Sequence, residues 1–334
     1  MAQIHTNQTL SVNLPQVLVL GPPSIFRIYE KHLSQKFMLL KPWESPIPLE
    51  EFLSIHAQNT TAVLTSSVVA YLSSALRLLP SVRLVVTSSV GPDHIDLKEC
   101  RRRGISVAYA SSVFSADVAD LAVGLWVDVL RKISAANCFL KTGLWPVKGD
   151  YPLATKLGGK RVGIIGLGRI GQEVAKRLEA FGCKISYQSR EKKPSVSYPF
   201  YTDVCELASN SDVLIICCAL NDQTYHLINR EVLQALGRQG VIINAARGAI
   251  IDEKALVQFL QEGKIAGAGL DVFEHEPNVP EELLELDNVV FSPHSAVFTE
   301  ESCKDLYDLV VGNLEAFFSN KPLLSPVQFD DFMR

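Results

Sequence analysis

Apolar and polar positions alternate in two rhythms along this chain. Short apolar runs suit buried strands, and between them apolar residues return at steps of three and four, the spacing of a helix face. Up to Ala110 the strand-like runs are Gln16 to Leu20, Phe37 to Leu40, Ala62 to Thr65, Arg83 to Ser88 and Ile105 to Ala110. Helical patterns fall between them at Ser24 to Ser34, Leu49 to His56, Val68 to Leu79 and Ile95 to Arg103, with Ser24 placed to cap the first. Asp117 to Leu140 is the longest helical pattern, and Val118, Leu121, Ala122, Leu125, Trp126, Val129 and Ile133 share its apolar face. Trp126 therefore reads as core. The loop Lys141 to Leu157 that follows carries Trp145 among glycines and prolines. A tryptophan on so long a loop marks a contact, with a partner or with its own domain.

The rhythm then restarts. Strand candidates are Arg161 to Ile165, Lys184 to Tyr187, Val213 to Cys217, Val241 to Ala245, Ala266 to Val272 and Val289 to Ser292. Gln172 to Phe181, Val204 to Ala208, Arg230 to Leu236 and Asp252 to Glu262 are the helices between them. Glu300 to Phe318 closes the pattern, with Thr299 as its cap and two glutamates in its first turn, where the helix dipole favours them. Strands alternating with helices predict parallel sheets covered on both faces.

Length and composition narrow the picture. The 334 residues suffice for two cores, and 47% hydrophobic with 20% charged residues is an ordinary globular balance. A formal net charge of −4 argues against a chiefly nucleic-acid-binding or membrane-surface role. The longest apolar run, Val213 to Leu220, is strand-sized, so no membrane span is expected. The start, Met-Ala-Gln-Ile-His-Thr-Asn, does not read as a secretory signal or an arginine-rich transit peptide, and Asp-Phe-Met-Arg is not a peroxisomal address. The seven cysteines have no zinc spacing and lie mostly in apolar runs, which predicts reduced thiols, a cytoplasmic setting and no metal.

Candidate chemistry begins at Gly166, Gly168 and Gly171. They stand at Gly-x-Gly-x-x-Gly spacing between a strand and a helix, the context in which that motif cradles a dinucleotide pyrophosphate. The first glycine permits the bend, the second lets phosphate approach, and the third lets helix and strand pack closely. Arg169 and Ile170 belong to the same turn. A glycine-rich turn without a ligand is the plainer alternative. The expected fold class is α/β, with two doubly wound parallel-sheet domains. A Rossmann-type cofactor domain would span 111–297, and a flavodoxin-like substrate domain 1–110 with 298–334, the active site lying in the cleft between them.

An NAD-specific site places an acid at the end of the second strand of the cofactor sheet. Here Gln188 stands there, followed by Ser189, Arg190, Glu191, Lys192 and Lys193. A hydroxyl, a guanidinium and a lysine suit a 2′-phosphate, which predicts NADPH, with NADH the weaker alternative. Three later strand ends carry further chemistry. Asn244-Ala245-Ala246-Arg247-Gly248 offers an arginine able to grip a carboxylate in bidentate fashion. Asp271 to Pro277 and Ser292 to Ser295 supply Glu276 and His294. Carbonyl reduction needs a proton as well as a hydride, and a histidine beside a carboxylate suits the donor's role. Each residue alone is weak: loop arginines and histidines are usually surface groups. His94 opens a helix and reads as structural, and His275 as solvent-facing.

Together these stretches resemble the D-isomer-specific 2-hydroxyacid dehydrogenases, especially the plant glyoxylate/hydroxypyruvate and hydroxyphenylpyruvate reductases, from about Val17 to Val327. Ser89 to Asp96, Asp117 to Asp120, Lys160 to Gly171, Tyr187 to Lys193, Asn244 to Gly248, Gly269 to Pro277 and Pro293-His294 carry the likeness. The resemblance implies reduction of a 2-oxo acid to the D-2-hydroxy acid. Arg247, Glu276 and His294 would be catalytic, Arg247 and His294 with the Val90 and Gly91 N–H groups would hold substrate, and Asp271 would meet the nicotinamide carboxamide. It also implies a homodimer joined through the cofactor domains, with the Trp145 loop near the partner. Ser295 to Thr299 departs from the family's glycine-containing stretch, and Ala219-Leu220-Asn221 replaces a usual Pro-Leu-Thr. Those departures leave open glyoxylate or hydroxypyruvate, 4-hydroxyphenylpyruvate, or a sugar-derived 2-oxo acid. Formate-dehydrogenase-like chemistry is disfavoured, because that class lacks the counterpart of Glu276. The fold also serves dinucleotide-sensing corepressors, so fold alone does not fix function.

Overall fold

A computed structural model describes residues 14–21, 24–66, 69 and 71–332. The chain divides into two units, Met1–Ser111 with Cys303–Arg334, and Ser112–Ser302. In the first unit the apolar runs become β1 (Gln16–Leu20), β2 (Met38–Leu40), β3 (Ala62–Thr65), β4 (Leu84–Thr87) and β5 (Ser106–Ala108). They form one parallel sheet in the order β2-β1-β3-β4-β5. Strands β3 and β4 are buried throughout, as expected where helices cover both faces. The helices are α1 (Ser24–Lys36), α2 (Leu49–His56), α3 (Leu72–Arg77) and α4 (Leu97–Arg103). The Ser24 side chain, expected to cap α1, and Val68, expected to open α3, lie outside the described residues.

Helix α4 starts later than the pattern suggests. Asp96 caps it by accepting the Glu99 N–H at 2.9 Å, so His94 stands in the loop before it instead of opening it. The His94 ring reaches back to strand β4, with Nε2 3.0 Å from the Thr87 hydroxyl.

The second unit opens with a correction. Asp117 to Leu140 is two helices, α5 (Ser115–Arg131) and α6 (Ile133–Lys141), because Lys132 is left-handed at φ 55°. Asp128 supplies the reason. Its carboxylate takes the Ser134 N–H at 2.8 Å and the Ser134 hydroxyl, which satisfies the start of a new helix. Trp126, on α5, is fully buried. The Trp145 loop contains a short helix, α7 (Trp145–Lys148), whose tryptophan is 59% exposed.

Seven parallel strands follow: β6 (Arg161–Ile165), β7 (Lys184–Gln188), β8 (Phe200–Tyr201), β9 (Val213–Ile216), β10 (Val241–Asn244), β11 (Gly267–Leu270) and β12 (Val289–Phe291). Their order is β12-β11-β10-β9-β6-β7-β8. Six were expected; β8 adds two residues at the edge, too short to show a period of two. The covering helices are α8 (Arg169–Ala180), α9 (Val204–Ser209), α10 (Arg230–Leu236), α11 (Glu253–Gln261) and α12 (Glu281–Leu284). Asp203, Asn229 and Asp252 cap α9, α10 and α11 through their side chains.

Helix α13 (Glu300–Phe318) begins on the Thr299 cap, whose hydroxyl takes the Ser302 N–H at 3.0 Å. Its later residues belong to the first unit. Tyr307 stacks on Tyr29 of α1 at 4.6 Å, and Phe318 lies 6.1 Å from Phe37. Among the described residues no helix is long and apolar enough to cross a membrane.

Candidate active site

The turn from β6 into α8 is shaped by what a side chain would strike. Gly166 has φ +92°, and a Cβ there would lie 2.7 Å from the Cys218 backbone. Gly171 is held to glycine by the Gly166 carbonyl oxygen, 2.2 Å from its would-be Cβ, so α8 presses directly on the turn. Gly168 faces open space. Arg169, Ile170 and Gly171 form the first turn of α8, where backbone N–H groups lack helical partners. A bend, an open approach and the start of a 12-residue helix fit a dinucleotide pyrophosphate. Cys217 and Cys218 back the turn; burial pushes the Cys218 thiol up to about 12 and raises that of Cys217 as well, so both act as packing groups.

The end of β7 gives the expected ribose position. Gln188 accepts the Gly166 N–H at 2.8 Å through its backbone oxygen, which joins this strand end to the glycine turn. Ser189 is half-buried, and its hydroxyl donates to the Glu191 carbonyl at 2.6 Å. Arg190 and Lys192 are exposed. The Lys193 N–H donates to the Tyr187 hydroxyl at 2.8 Å, folding the basic loop back onto its strand.

Three strand ends beyond β9 converge. At the end of β10, Ala245 and Arg247 are half-buried, and Asn244 shapes their turn. Its Oδ1 takes the Ala246 N–H at 3.0 Å, while its Nδ2 donates to the Arg247 carbonyl at 2.9 Å. At the end of β11, Asp271 is fully buried. Its carboxylate takes the N–H groups of Ser295 and Ala296 at 2.8 and 3.2 Å, and its carbonyl takes the His294 N–H at 2.7 Å. The Ser292 hydroxyl also bonds to that carboxylate. Burial raises the Asp271 pKa, and these donors only partly offset it.

The loop so anchored presents His294 at φ 51°. His294 Nδ1 lies 2.6 Å from Glu276 Oε2, and the other Glu276 oxygen takes the Phe273 N–H at 3.0 Å. Burial works to raise the Glu276 pKa. The His294 and Phe273 hydrogen bonds, with the charges of His294 and Arg247, outweigh it and hold the carboxyl below its ordinary value. Its two neighbours point elsewhere: His275 is exposed, and Glu274 bonds to His226 at 2.8 Å. His226, on the loop between β9 and α10, was not singled out in the sequence. The first unit carries the remaining predicted residues. Val90 and Gly91 are half-buried at the end of β4, and neither N–H donates to another described residue.

The comparisons with known proteins give the family. Residues 123–296 match the D-isomer specific 2-hydroxyacid dehydrogenase, NAD binding domain. The chain belongs to the D-isomer-specific 2-hydroxyacid dehydrogenases. It is 50% identical to a glyoxylate/hydroxypyruvate reductase of Arabidopsis thaliana over 317 residues, 95% of this chain and 98% of that protein. It is 49% identical to a hydroxyphenylpyruvate reductase of Plectranthus scutellarioides over 311 residues, 93% of this chain and 98% of that protein. A crystal structure of an NADPH-dependent glyoxylate/hydroxypyruvate reductase from Sinorhizobium meliloti, in complex with NADP and malonate, superposes with a TM-score of 0.88. It is 36% identical and covers 94% of this chain and 97% of its own. As a 2-hydroxyacid dehydrogenase the chain is an oxidoreductase, and NADP(H) fits its glycine turn and acid-free β7 end.

Gly171→Ala tests the cofactor turn. The added methyl cannot fit against the Gly166 carbonyl, and overpacking of this kind costs about 1–3 kcal/mol. We expect a lower Tm and weaker NADPH binding by fluorescence titration; unchanged values for both would refute the packing argument.

Proposed function

We propose that this 2-hydroxyacid dehydrogenase reduces a small 2-oxo acid of the glyoxylate/hydroxypyruvate class with NADPH, giving the D-2-hydroxy acid. The 2.6 Å contact between His294 and Glu276 carries the reading, because it supplies a proton donor at a strand end that an NADP-binding sheet would present. The second unit is then the cofactor-binding domain and the first the substrate-binding domain.

In this reading the turn 166–171 holds the pyrophosphate, Ser189, Arg190 and Lys192 the 2′-phosphate, and Ala245 and Asp271 border the nicotinamide. Bound NADPH supplies the hydride to the carbonyl carbon. Arg247 orients the 2-oxo acid through its carboxylate and carbonyl oxygens. Because His294 Nδ1 is engaged by Glu276, Nε2 is the nitrogen that gives its proton to the carbonyl oxygen. The Glu276 carboxylate orients the ring through its Nδ1.

A second substrate reading rests on Phe298. This aromatic side chain is 55% exposed four residues beyond His294, where it suits an aromatic 2-oxo acid such as 4-hydroxyphenylpyruvate. A homodimer is supported by α6 and α7, where Ile133, Leu140, Trp145 and Val147 are each more than half exposed. Ala136, Phe139, Leu140, Trp145 and Tyr151 line an open pocket of about 180 Å³ there. An apolar patch of this kind marks an interaction surface. The free thiols suit the cytoplasm.

NADPH oxidation with glyoxylate, hydroxypyruvate, 4-hydroxyphenylpyruvate and 2-ketogluconate separates the substrate readings, and no turnover on any of them would sink the proposal. His294→Ala should lower kcat by about 10²–10⁴-fold while sparing NADPH binding; near-parental turnover would remove it from the donor role. Arg190→Ala, which loses a charge-assisted bond of about 1.5–3 kcal/mol, should weaken NADPH about tenfold to a hundredfold more than NADH. Equal losses would refute the 2′-phosphate assignment. Light scattering should return twice the 36.8 kDa chain mass, and a Trp145→Glu variant should shift toward monomer; a monomeric parent would overturn the dimer. A fluorescent-protein fusion should be diffuse in the cytoplasm, and an organellar pattern would contradict that placement.

A further inference from the structure

A second histidine–carboxylate pair stands beside the first and takes no part in the proposed chemistry. His226 Nε2 lies 2.8 Å from Glu274 Oε1, two residues before Glu276 in one tight turn. The turn is closed by the Asn278 N–H on the His275 carbonyl at 2.9 Å. Glu274 is also held through its backbone, whose N–H donates to Glu253 Oε2 at 3.1 Å. Its carboxylate, with 12% of the side chain exposed, has the Tyr225 hydroxyl 3.4 Å away, and the Tyr225 ring stacks on the His226 ring at 4.0 Å.

The backbone of His226 grips a different turn. Its N–H donates to the Ala249 carbonyl at 2.9 Å, and two residues on the Ile228 N–H donates to Ile250 at 3.0 Å. Those carbonyls lie just past Arg247. His226 is left-handed at φ 50°, the bend that lets its backbone bind one turn while its ring reaches the other. The two turns also touch directly, since a Cβ on Gly248 would lie 1.9 Å from the Phe273 carbonyl carbon. One residue thus ties the turn that carries Arg247 to the turn that carries Glu276.

We propose that His226 is a positioning residue: through Glu274 it fixes the turn that aims Glu276 at His294, and through Ala249 it fixes the turn that presents Arg247. The inference rests on Glu276 and His294 acting as the acid pair. Glu276 is well placed to feel such a constraint. One of its oxygens already bonds within the turn, to the Phe273 N–H, so a small rotation of the turn moves the other away from His294. The charged and titratable groups around the turn are Glu253, Glu274, His275, His226, His294 and Arg247. His226→Asn removes the reach to Glu274 without adding or deleting a carboxylate.

Asparagine tolerates left-handed backbone, so His226→Asn suits the native bend while its shorter amide cannot span to Glu274. His226→Gln restores the reach. In steady-state assays of the full-length enzyme with NADPH and its best 2-oxo acid, His226→Asn should lose at least tenfold in kcat/KM. The loss should be split between a lower kcat and a higher KM. His226→Gln should recover to within about threefold, and NADPH affinity should stay parental in both. A parental kcat in His226→Asn, or equal losses in the two variants, would overturn the proposal. Should His226→Asn not fold, Glu274→Gln at matched volume is read in the same way, and a parental kcat there is equally fatal. Inactivity of the parent, or full activity of His294→Ala, would instead indict the acid pair itself.

Discussion

The buried carboxylate of Asp271 is the constraint on which the candidate site depends. An unpaired charge at full burial is costly, and this one is tolerated because three donors converge on it. Two of those donors are consecutive N–H groups of the loop after β12. Satisfying them fixes the path of that loop and turns His294 into left-handed backbone. From there Nδ1 meets Glu276. The strand that supplies Asp271 therefore sets the position of a histidine from its neighbour strand, and the adjacent turn supplies that histidine's carboxylate. Parallel strands in register make this economy available, because their carboxyl ends finish side by side.

The glycine turn uses steric exclusion where the acid loop uses charge. Gly166 and Gly171 are compressed against backbone, so strand, turn and helix have one arrangement, whereas Gly168 is left open on the outer side. The same turn is tied to the end of β7 by the Gly166 N–H. Pyrophosphate cradle and ribose position are thus one rigid unit. In the proposed reading, discrimination between dinucleotides would rest on the exposed groups that follow Gln188.

Much of this was legible along the chain. The core strands stood out because both faces are buried and the apolar runs are continuous; β1, β3 and β6 have the predicted bounds. The glycine turn, the basic β7 end and the three chemistry-bearing strand ends were readable because strand-end loops announce themselves by breaking an apolar run. The misses share a cause. The break at Lys132 is enforced by a side chain, Asp128, that captures the next helix start, and periodicity continues straight across it. Strand β8 exists because Phe200 and Tyr201 find β7 beside them. His226 carried no signal, since its partner lies 48 residues away.

By itself the sequence determined the α/β class, the dinucleotide turn, the absence of the NAD-type acid and the candidate trio Arg247, Glu276 and His294. These are local properties: apolar periodicity, glycine spacing and the residue type that follows a strand. The family resemblance already pointed to Glu276 for His294; tertiary structure alone decided that Glu274 goes to His226. Glu274 and Glu276 are two residues apart and chemically alike, yet one is 2.8 Å from His226 and the other 2.6 Å from His294. That assignment follows from strand register and from the direction each side chain takes out of a tight turn, and neither can be read from composition or spacing.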